Sequence, residues 1–479
     1  MDLTMIIGIA IVLITGYFVV KRHEIRMVMF LSGVAMFAVS GDIRGAVAQF
    51  INQVTNTGLV GITTTVMGFA YVCKVTECDK HLVRLLTNPL KKAGPILIPG
   101  TVIVTALINV ALTSAAGVSA AVGAIMIPTL IAAGVKPVMA GAAVFAGTFG
   151  SLMSPGNAHN IYLAGVHTGF FQRILDRREA LLYEGYTYEA VNAMGYTYEA
   201  AAAAEAAYGH ITVVDIALSI APSTIVAILV GATVLTAYAI ITKENRGHNP
   251  EDWLGEADIS GSDPDFRVNF LKALIPILPL IMLILGSDDV LGPRGLGLIA
   301  PAINVPQAMF FGALLAFLAT CTDKSIGLTK IVTSFWEGMA YAFLNVSILI
   351  ASAFTFAQGL GAVGITGAIT NAMQNAEGAV APIAVLVPML ISGLTGSGDG
   401  ATQAFNTAVT PNAELFGISM MNLGNAANIG GALGRTLSPF AGGAIVCAAI
   451  AKVDPIDMAK RNFPGMIVAA IVVIVMAII

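Results

Sequence analysis

Two clusters of small and hydroxyl residues stand in apolar sequence, Thr113-Ser114-Ala115-Ala116-Gly117 and Thr395-Gly396-Ser397-Gly398, and each is followed downstream by Ser-Pro, at Ser154-Pro155 and Ser438-Pro439. Hydroxyls and backbone amides freed by glycine and proline can bind a small solute, and helix amino ends favour an anionic one. The echo extends to Pro128 and Pro411, between cluster and Ser-Pro, and to Asp215 with Pro222 and Asp457 with Pro464 beyond it. Helix interruptions duplicated at matching places in two halves of an apolar chain point to the substrate site of a secondary transporter. The alternative for a single cluster is close helix packing by small residues.

Each Ser-Pro lies well inside an apolar run, where proline removes an amide donor and frees an upstream carbonyl, so both runs are expected to break in mid-membrane. Around the first break lie Thr148, Ser151, Ser154, Asn157, His159 and Asn160; around the second lie Asn425, Asn428, Arg435, Thr436 and Ser438. Arg435 is the sharpest of these. A central arginine costs roughly 2.5 to 3.5 kcal/mol on insertion scales, and its planar guanidinium matches a carboxylate in two hydrogen bonds. An anionic substrate is therefore its expected partner, with an ion pair to Asp399 or Glu414, or snorkelling, as structural alternatives. The expected substrate-binding set is Thr113, Ser114, Gly117, Ser154, Pro155, Asn157, Thr395, Gly396, Ser397, Gly398, Arg435, Thr436, Ser438 and Pro439. Asp399 is either a carboxylate for a coupling ion, sodium or a proton, or a hairpin turn residue. Asn428, Ser151 and His159 complete the candidate coupling-ion set, although a lone histidine near a polar break is more often a satisfied hydrogen-bonding group.

The elements that must position these residues follow from composition. The chain is 57% hydrophobic and 11% charged, against about a quarter charged in a soluble domain, and its mean hydropathy is +0.84. It reads as an integral membrane protein. A formal charge of -4, mixed in sign, gives no footprint for nucleic acid. The run from Thr4 to Val20 is led by Asp2 and followed by Lys21, Arg22, His23 and Arg26, the reverse of a signal peptide, and is read as a retained span. Cys73, Cys78, Cys321 and Cys447 have no zinc-ligand spacing and are read as free thiols, with no metal or cofactor expected.

Apolar runs in a bilayer must be helices, because the hydrocarbon leaves no partner for open backbone. Expected spans in the first half are 4–20, 27–40, 58–73, a re-entrant hairpin at 95–134, a broken helix at 139–166 and a span at 211–241. The second half gives 268–286, 305–321, 332–357, a hairpin at 380–416, a broken helix at 425–450 and 464–479. The fold class is thus an all-α polytopic membrane protein with about ten transmembrane helices plus two hairpins. The basic-inside rule favours Lys21, Arg22, Arg26, Lys74, Lys80, Arg84, Lys91, Lys92 and Lys136 in the cytoplasm, provided the first hairpin returns to its own side. Lys243, Arg246, Lys324, Lys330, Lys452, Lys460 and Arg461 follow on the same side, and the flanks of the second hairpin, with Glu377 and Glu414, fall outside. Residues 1–241 and 268–479 then form two inverted-topology repeats. An external insertion at 167–210, containing the tandem Gly185-Tyr186-Thr187-Tyr188-Glu189-Ala190 and Gly195-Tyr196-Thr197-Tyr198-Glu199-Ala200, and a cytoplasmic linker at 242–267 are the two polar connectors.

Gly434-Arg435-Thr436-Leu437-Ser438-Pro439, joined by Thr395-Gly396-Ser397-Gly398, Phe356-Ala357-Gln358-Gly359-Leu360 and Ala451-Lys452-Val453-Asp454-Pro455, resembles the DcuC family of anaerobic four-carbon dicarboxylate carriers in the ion-transporter superfamily. The first half matches more loosely, through Thr113 to Gly117 and Pro128. The resemblance implies uptake, efflux or exchange of succinate, fumarate or malate across a bacterial inner membrane, with sodium or proton coupling. It also implies an elevator, in which a homodimeric scaffold holds still while a domain with both hairpins and both broken helices moves. Asp399 stands where the family usually has asparagine, and the 167–210 insertion is longer than usual. The same-class rival is a cation-proton antiporter or amino-acid exchanger, with Asp399 as its working carboxylate. A channel is the rival from another class; for an enzyme, His23-Glu24 lacks the second histidine of a zinc protease motif, and no Walker loop is present.

Overall fold

In the computed structural model the described residues are 3–21, 23–89, 96–183, 186–194, 196–249, 267–285, 303–321, 326–368 and 379–478. Arg22, Lys91, Lys92, Gly185, Gly195, Lys324, Glu377 and most of the 242–267 linker lie outside them. The described residues form helices and no strand, as expected where every backbone amide must be satisfied within its own segment.

The first helices are α1 (Leu3–Val20), α2 (Ile25–Val39), α3 (Ile43–Val54), α4 (Thr57–Val75) and α5 (Cys78–Thr87). Then come α6 (Leu97–Ala111) and α7 (Ala115–Ala132), the arms of the first helical hairpin, followed by α8 (Pro137–Ala146) and α9 (Ala158–Thr168), which flank a 3-10 turn at Gly150–Met153. Three short helices, α10 (Phe170–Tyr183), α11 (Tyr188–Ala193) and α12 (Tyr198–Tyr208), precede the long α13 (Val213–Ile241). The later part opens with α14 (Phe270–Leu274), α15 (Leu278–Leu285), α16 (Val305–Thr320), α17 (Leu328–Ala342) and α18 (Ile348–Ala362). The second hairpin is α19 (Val380–Thr395) and α20 (Gly398–Ala408), with a 3-10 turn at Thr410–Phe416; α21 (Met420–Leu437), α22 (Gly442–Ala451) and α23 (Pro455–Ile478) close the chain.

Among the described residues six helical stretches, 115–132, 137–168, 213–241, 328–362, 420–451 and 455–477, are long and apolar enough to cross a membrane, and seven shorter apolar helices of 10–17 residues accompany them. The chain is a multi-pass membrane protein. Local sequence sets the helix ends. Asp42 Oδ1 accepts from Gly45 N at 2.9 Å to start α3, Thr212 and Asp215 form a reciprocal capping box at α13, and Asn304 with Gln307 do so at α16.

Two groups of helices pack around the cavity described below. In one, α19 lies on α21, α13 on α23, and α7 on α22; in the other, α17 and α16 lie on α4, and α2 and α3 on α18. At one end of the first group, buried Glu244 accepts from Arg461 at 2.8 Å and lies 3.8 Å from Lys136. Three features were not foreseen from sequence. Helix α3 shows Ile43, Val47 and Ile51 exposed on one face. The expected single span at 332–357 carries a π-helical turn at Phe343–Ser347 between α17 and α18, and such turns mark functional positions with unusual frequency. In the 167–210 insertion, Arg178 donates to Asn192 Oδ1 and Tyr196 O, both at 2.6 Å, and sits 4.6 and 5.8 Å from the rings of Tyr198 and Tyr188. The tandem duplication thus supplies equivalent tyrosines that hold one arginine.

Candidate functional site

The tip of the first hairpin is built by Ser114, whose hydroxyl accepts from Gly117 N at 3.2 Å and starts α7. The second tip turns at Gly396, in the left-handed region with φ +77, where a Cβ would lie 2.8 Å from the Phe440 carbonyl carbon. Glycine is required there by conformation and by space alike. Thr395 Oγ1 closes the turn, accepting from Ser397 N at 3.2 Å.

The first helix break is held by side-chain amides. Asn109 of α6 accepts from Ser151 N at 2.9 Å; Asn157 donates to Ser151 Oγ at 3.0 Å and accepts from His159 N at 2.8 Å, starting α9. Asn160 donates to the Leu152 and Ser154 carbonyls at 2.7 and 2.9 Å, and Ser154 Oγ accepts from Gly156 N at 3.3 Å. The second break is shorter. Ser438 ends α21, and its hydroxyl accepts from Phe440 N at 3.2 Å.

These elements enclose a cavity of about 250 Å³. Of the residues singled out from sequence, Thr113, Ser114, Ser151, Asn157, His159, Asp399 and Arg435 line it. Thr395, Gly396, Ser397, Gly398, Thr436, Ser438 and Pro439, with Gly117, Ser154 and Pro155, do not; they shape the backbone next to it. Asn428 lies elsewhere, accepting from Asn406 at 2.9 Å.

The charges in the cavity are arranged differently from either ion pair considered for Arg435. Asp399 Oδ1 is 2.7 Å from His159 Nε2; the histidine side chain is 4% exposed and the aspartate 41%, so the carboxylate keeps access to the cavity. Glu414 instead accepts from the Tyr208 hydroxyl. Arg435 donates through Nη2 to the Thr148 carbonyl at 2.7 Å, while its buried Nε has no hydrogen-bond partner among the described residues. A guanidinium tethered at one nitrogen, with a second lacking an acceptor, keeps donor capacity for a bound anion.

The remaining wall was missed by sequence reading. Thr63, Val66 and Met67 come from α4, and Tyr341, Asn345 and Val346 from the α17–α18 helix at its π turn. Asn345 was visible only as a lone amide in an apolar run. The cavity therefore lies between the hairpin-bearing helices and the α4–α17–α18 group.

Comparison with known proteins gives the following. A sequence profile described as DcuC, C4-dicarboxylate anaerobic carrier, matches residues 197–479. An uncharacterized transporter of Haemophilus influenzae is 39% identical over 261 residues, 54% of this chain and 91% of the relative. The anaerobic C4-dicarboxylate transporter DcuC of Escherichia coli K12 is 22% identical over 494 aligned positions, covering 98% of this chain and 95% of that one. Among solved structures, Neisseria gonorrhoeae MtrF, of a class of antimetabolite efflux pumps, superposes with a TM-score of 0.59 at 15% identity, covering 89% of this chain and 83% of MtrF. The Alcanivorax borkumensis YdaH transporter gives 0.52 at 15% identity, covering 91% and 87%. At that identity the likeness concerns the fold.

Proposed function

Because the chain belongs to the DcuC family of anaerobic C4-dicarboxylate carriers, we propose that it is a secondary active transporter of succinate, fumarate or malate, working by uptake, efflux or exchange in a bacterial inner membrane. One observation carries the substrate class: Arg435 lines a small cavity with its Nε unpaired among the described residues, beside Thr113, Ser114 and Ser151. A carboxylate there gains charge-assisted hydrogen bonds that water-lined hydroxyls alone would not give. The resemblance between the two hairpin-and-broken-helix sets supports two inverted repeats, and the position of the cavity between two helix groups supports an elevator, for which the family resemblance implies a homodimeric scaffold. Asp399 and His159 are the groups for the coupling ion, a proton or sodium.

Asp399 in the cavity also favours the rival reading, a cation-proton antiporter or amino-acid exchanger. The deciding experiment is uptake of labelled succinate into proteoliposomes. Competition by fumarate but not by monocarboxylates is expected, and Arg435→Lys is expected to abolish flux in a protein that still inserts. Collapse of a pH gradient by added cations with no dicarboxylate flux would establish the rival.

A further inference from the structure

A buried polar seam leads away from the cavity and is not used by the substrate contacts. Asp399, Gln403, Asn406 and Thr407 recur at helical spacing along α20, and Thr410 and Glu414 continue the series in the following 3-10 turn. At the inner end Asp399 meets His159. At the outer end Glu414 is exposed and accepts from Tyr208. Between them the Thr407 and Tyr162 hydroxyls are hydrogen-bonded to each other. Asn406 donates to Asn428 Oδ1 at 2.9 Å, and Thr410 donates to Asn406 Oδ1 at 2.8 Å.

Gln403 sits one helical turn from both Asp399 and Thr407 and is fully buried, yet among the described residues neither its Oε1 nor its Nε2 has a hydrogen-bond partner. His159 Nδ1 and Asn428 Nδ2 are buried without one as well. Buried polar atoms in this condition are normally satisfied by protein or by ordered water. The unsatisfied set mixes amide N–H donors with an amide oxygen and carries no carboxylate between the two ends. A metal cation would meet N–H groups there; water, both donor and acceptor, fits. The titratable or charged groups on the helices packed closely against α20 are His159, Tyr162 and His167 of α9 and Arg435 of α21, while α18 and α19 carry none. Ionisable groups linked by polar side chains inside a membrane protein are the material of proton relays.

We propose that this seam holds water and conducts a proton between the Glu414 end of the molecule and the Asp399–His159 pair at the cavity, by an entry route separate from that of the substrate. The inference rests on the transporter reading above. A proton taken from bulk water at Glu414 passes along the bound waters and hydroxyls, which the amides orient, so that the imidazole–carboxylate pair gains one proton. Release of that proton through the cavity to water on the other side restores the pair, and each cycle moves one proton with no other bond changed.

The test uses the full chain in proteoliposomes with a trapped pH-sensitive dye and labelled succinate as the probe. Exchange of succinate for succinate needs no net proton movement, whereas proton-coupled net uptake does. In Gln403→Leu, net uptake and the dye signal are expected to fall at least about tenfold, a barrier change of about 1.4 kcal/mol, with exchange within about twofold of the parent. Thr410→Val, which removes only a hydroxyl at the outer end, is expected to show the same split more weakly. Net uptake and dye signal at the parental level in both variants overturn the seam, as does a parental protein that moves succinate with no dye response. Exchange and net uptake falling together in both variants assigns the residues to structure and also overturns it. Parental protein with no succinate exchange at all defeats the transport reading instead, a distinguishable result.

Discussion

Val102 and Ala106 of α6 place their carbonyl oxygens where a Cβ on Gly147 and Gly150 would have to be, and Val385 and Met389 of α19 do the same to Gly430 and Gly434. In both halves, then, the first arm of the hairpin lies backbone to backbone on the broken helix at or just ahead of its break, a contact that small residues alone permit. Beyond that shared crossing the halves diverge. The residue after the second glycine is Ser151 in one and Arg435 in the other. The first break is wide and held by Asn109, Asn157 and Asn160, whereas the second is narrow and pressed against Gly396 of its own hairpin. Packing is duplicated while chemistry is not: amides, hydroxyls and His159 come from the first half, and both Arg435 and Asp399 come from the second.

The shared crossing is the place of largest expected effect. Gly434→Ala and Gly150→Ala each push a methyl into a backbone carbonyl that has no rotamer to give way, at a cost of about 3 kcal/mol or more. Both are expected to lose the monodisperse peak in detergent size-exclusion chromatography; tolerance of one and not the other would end the equivalence. The divergent position comes next. Arg435→Lys is expected to lower dicarboxylate flux more than about a hundredfold and Ser151→Ala less than about tenfold, on the charge-assisted against neutral hydrogen-bond scale. Equal losses would mean that the charge is not what distinguishes the halves.

The same contrast explains what was legible in the sequence. Gly396, Pro155, Pro439 and the hydroxyls beside them act on the backbone at their own positions, so hairpins and breaks could be read from local residue types. Arg435 stood out because an apolar run makes it expensive. What escaped notice depends on a partner helix. Asn109 is a single amide in an apolar arm, and its role exists only because Ser151 N is opposite; Gln403 and Asn345 are likewise silent without α9, α21 and α4. His159 was weighted as an isolated histidine, and only the folding of α20 against α9 brings Asp399 to it. The π turn at Phe343–Ser347 carries Asn345 as a single amide in an apolar run, so hydropathy averaged over a span passes straight over it.

Asn109 also sharpens the comparison of the two breaks. Its Oδ1 takes the Ser151 amide, and its Nδ2 donates to the Leu112 carbonyl at 2.9 Å, tying the hairpin tip to the break. Asn109→Leu leaves the buried Ser151 amide unsatisfied, an expected loss of about 1 to 3 kcal/mol, and removes the donor from the half-buried Leu112 carbonyl at a smaller cost. Thermal unfolding in detergent should report a clear fall in midpoint. A neutral outcome would show that water replaces the amide and that the first break is as loose as it is wide.

The smallest expected effect concerns the insertion, which the first half has and the second lacks. Tyr208, at the end of α12, donates to Glu414 beyond the second hairpin and packs edge-on against His167 and Phe170. Burial first, then the hydrogen bond and the charge of Glu414, raise its phenol from 10.0 to about 12. The protonated form is the one the fold favours, so this docking contribution is complete below pH 10 and disappears as pH rises through about 12. Tyr208→Phe removes the hydrogen bond but keeps the ring contacts, and at a partly exposed site the loss is expected to stay below about 1 kcal/mol. Limited proteolysis of the insertion should therefore quicken slightly in Tyr208→Phe at neutral pH. It should quicken steeply in the parent only at strongly alkaline pH, and a parental rate that rises already between pH 7 and 9 would show that Tyr208 does not hold the insertion in place.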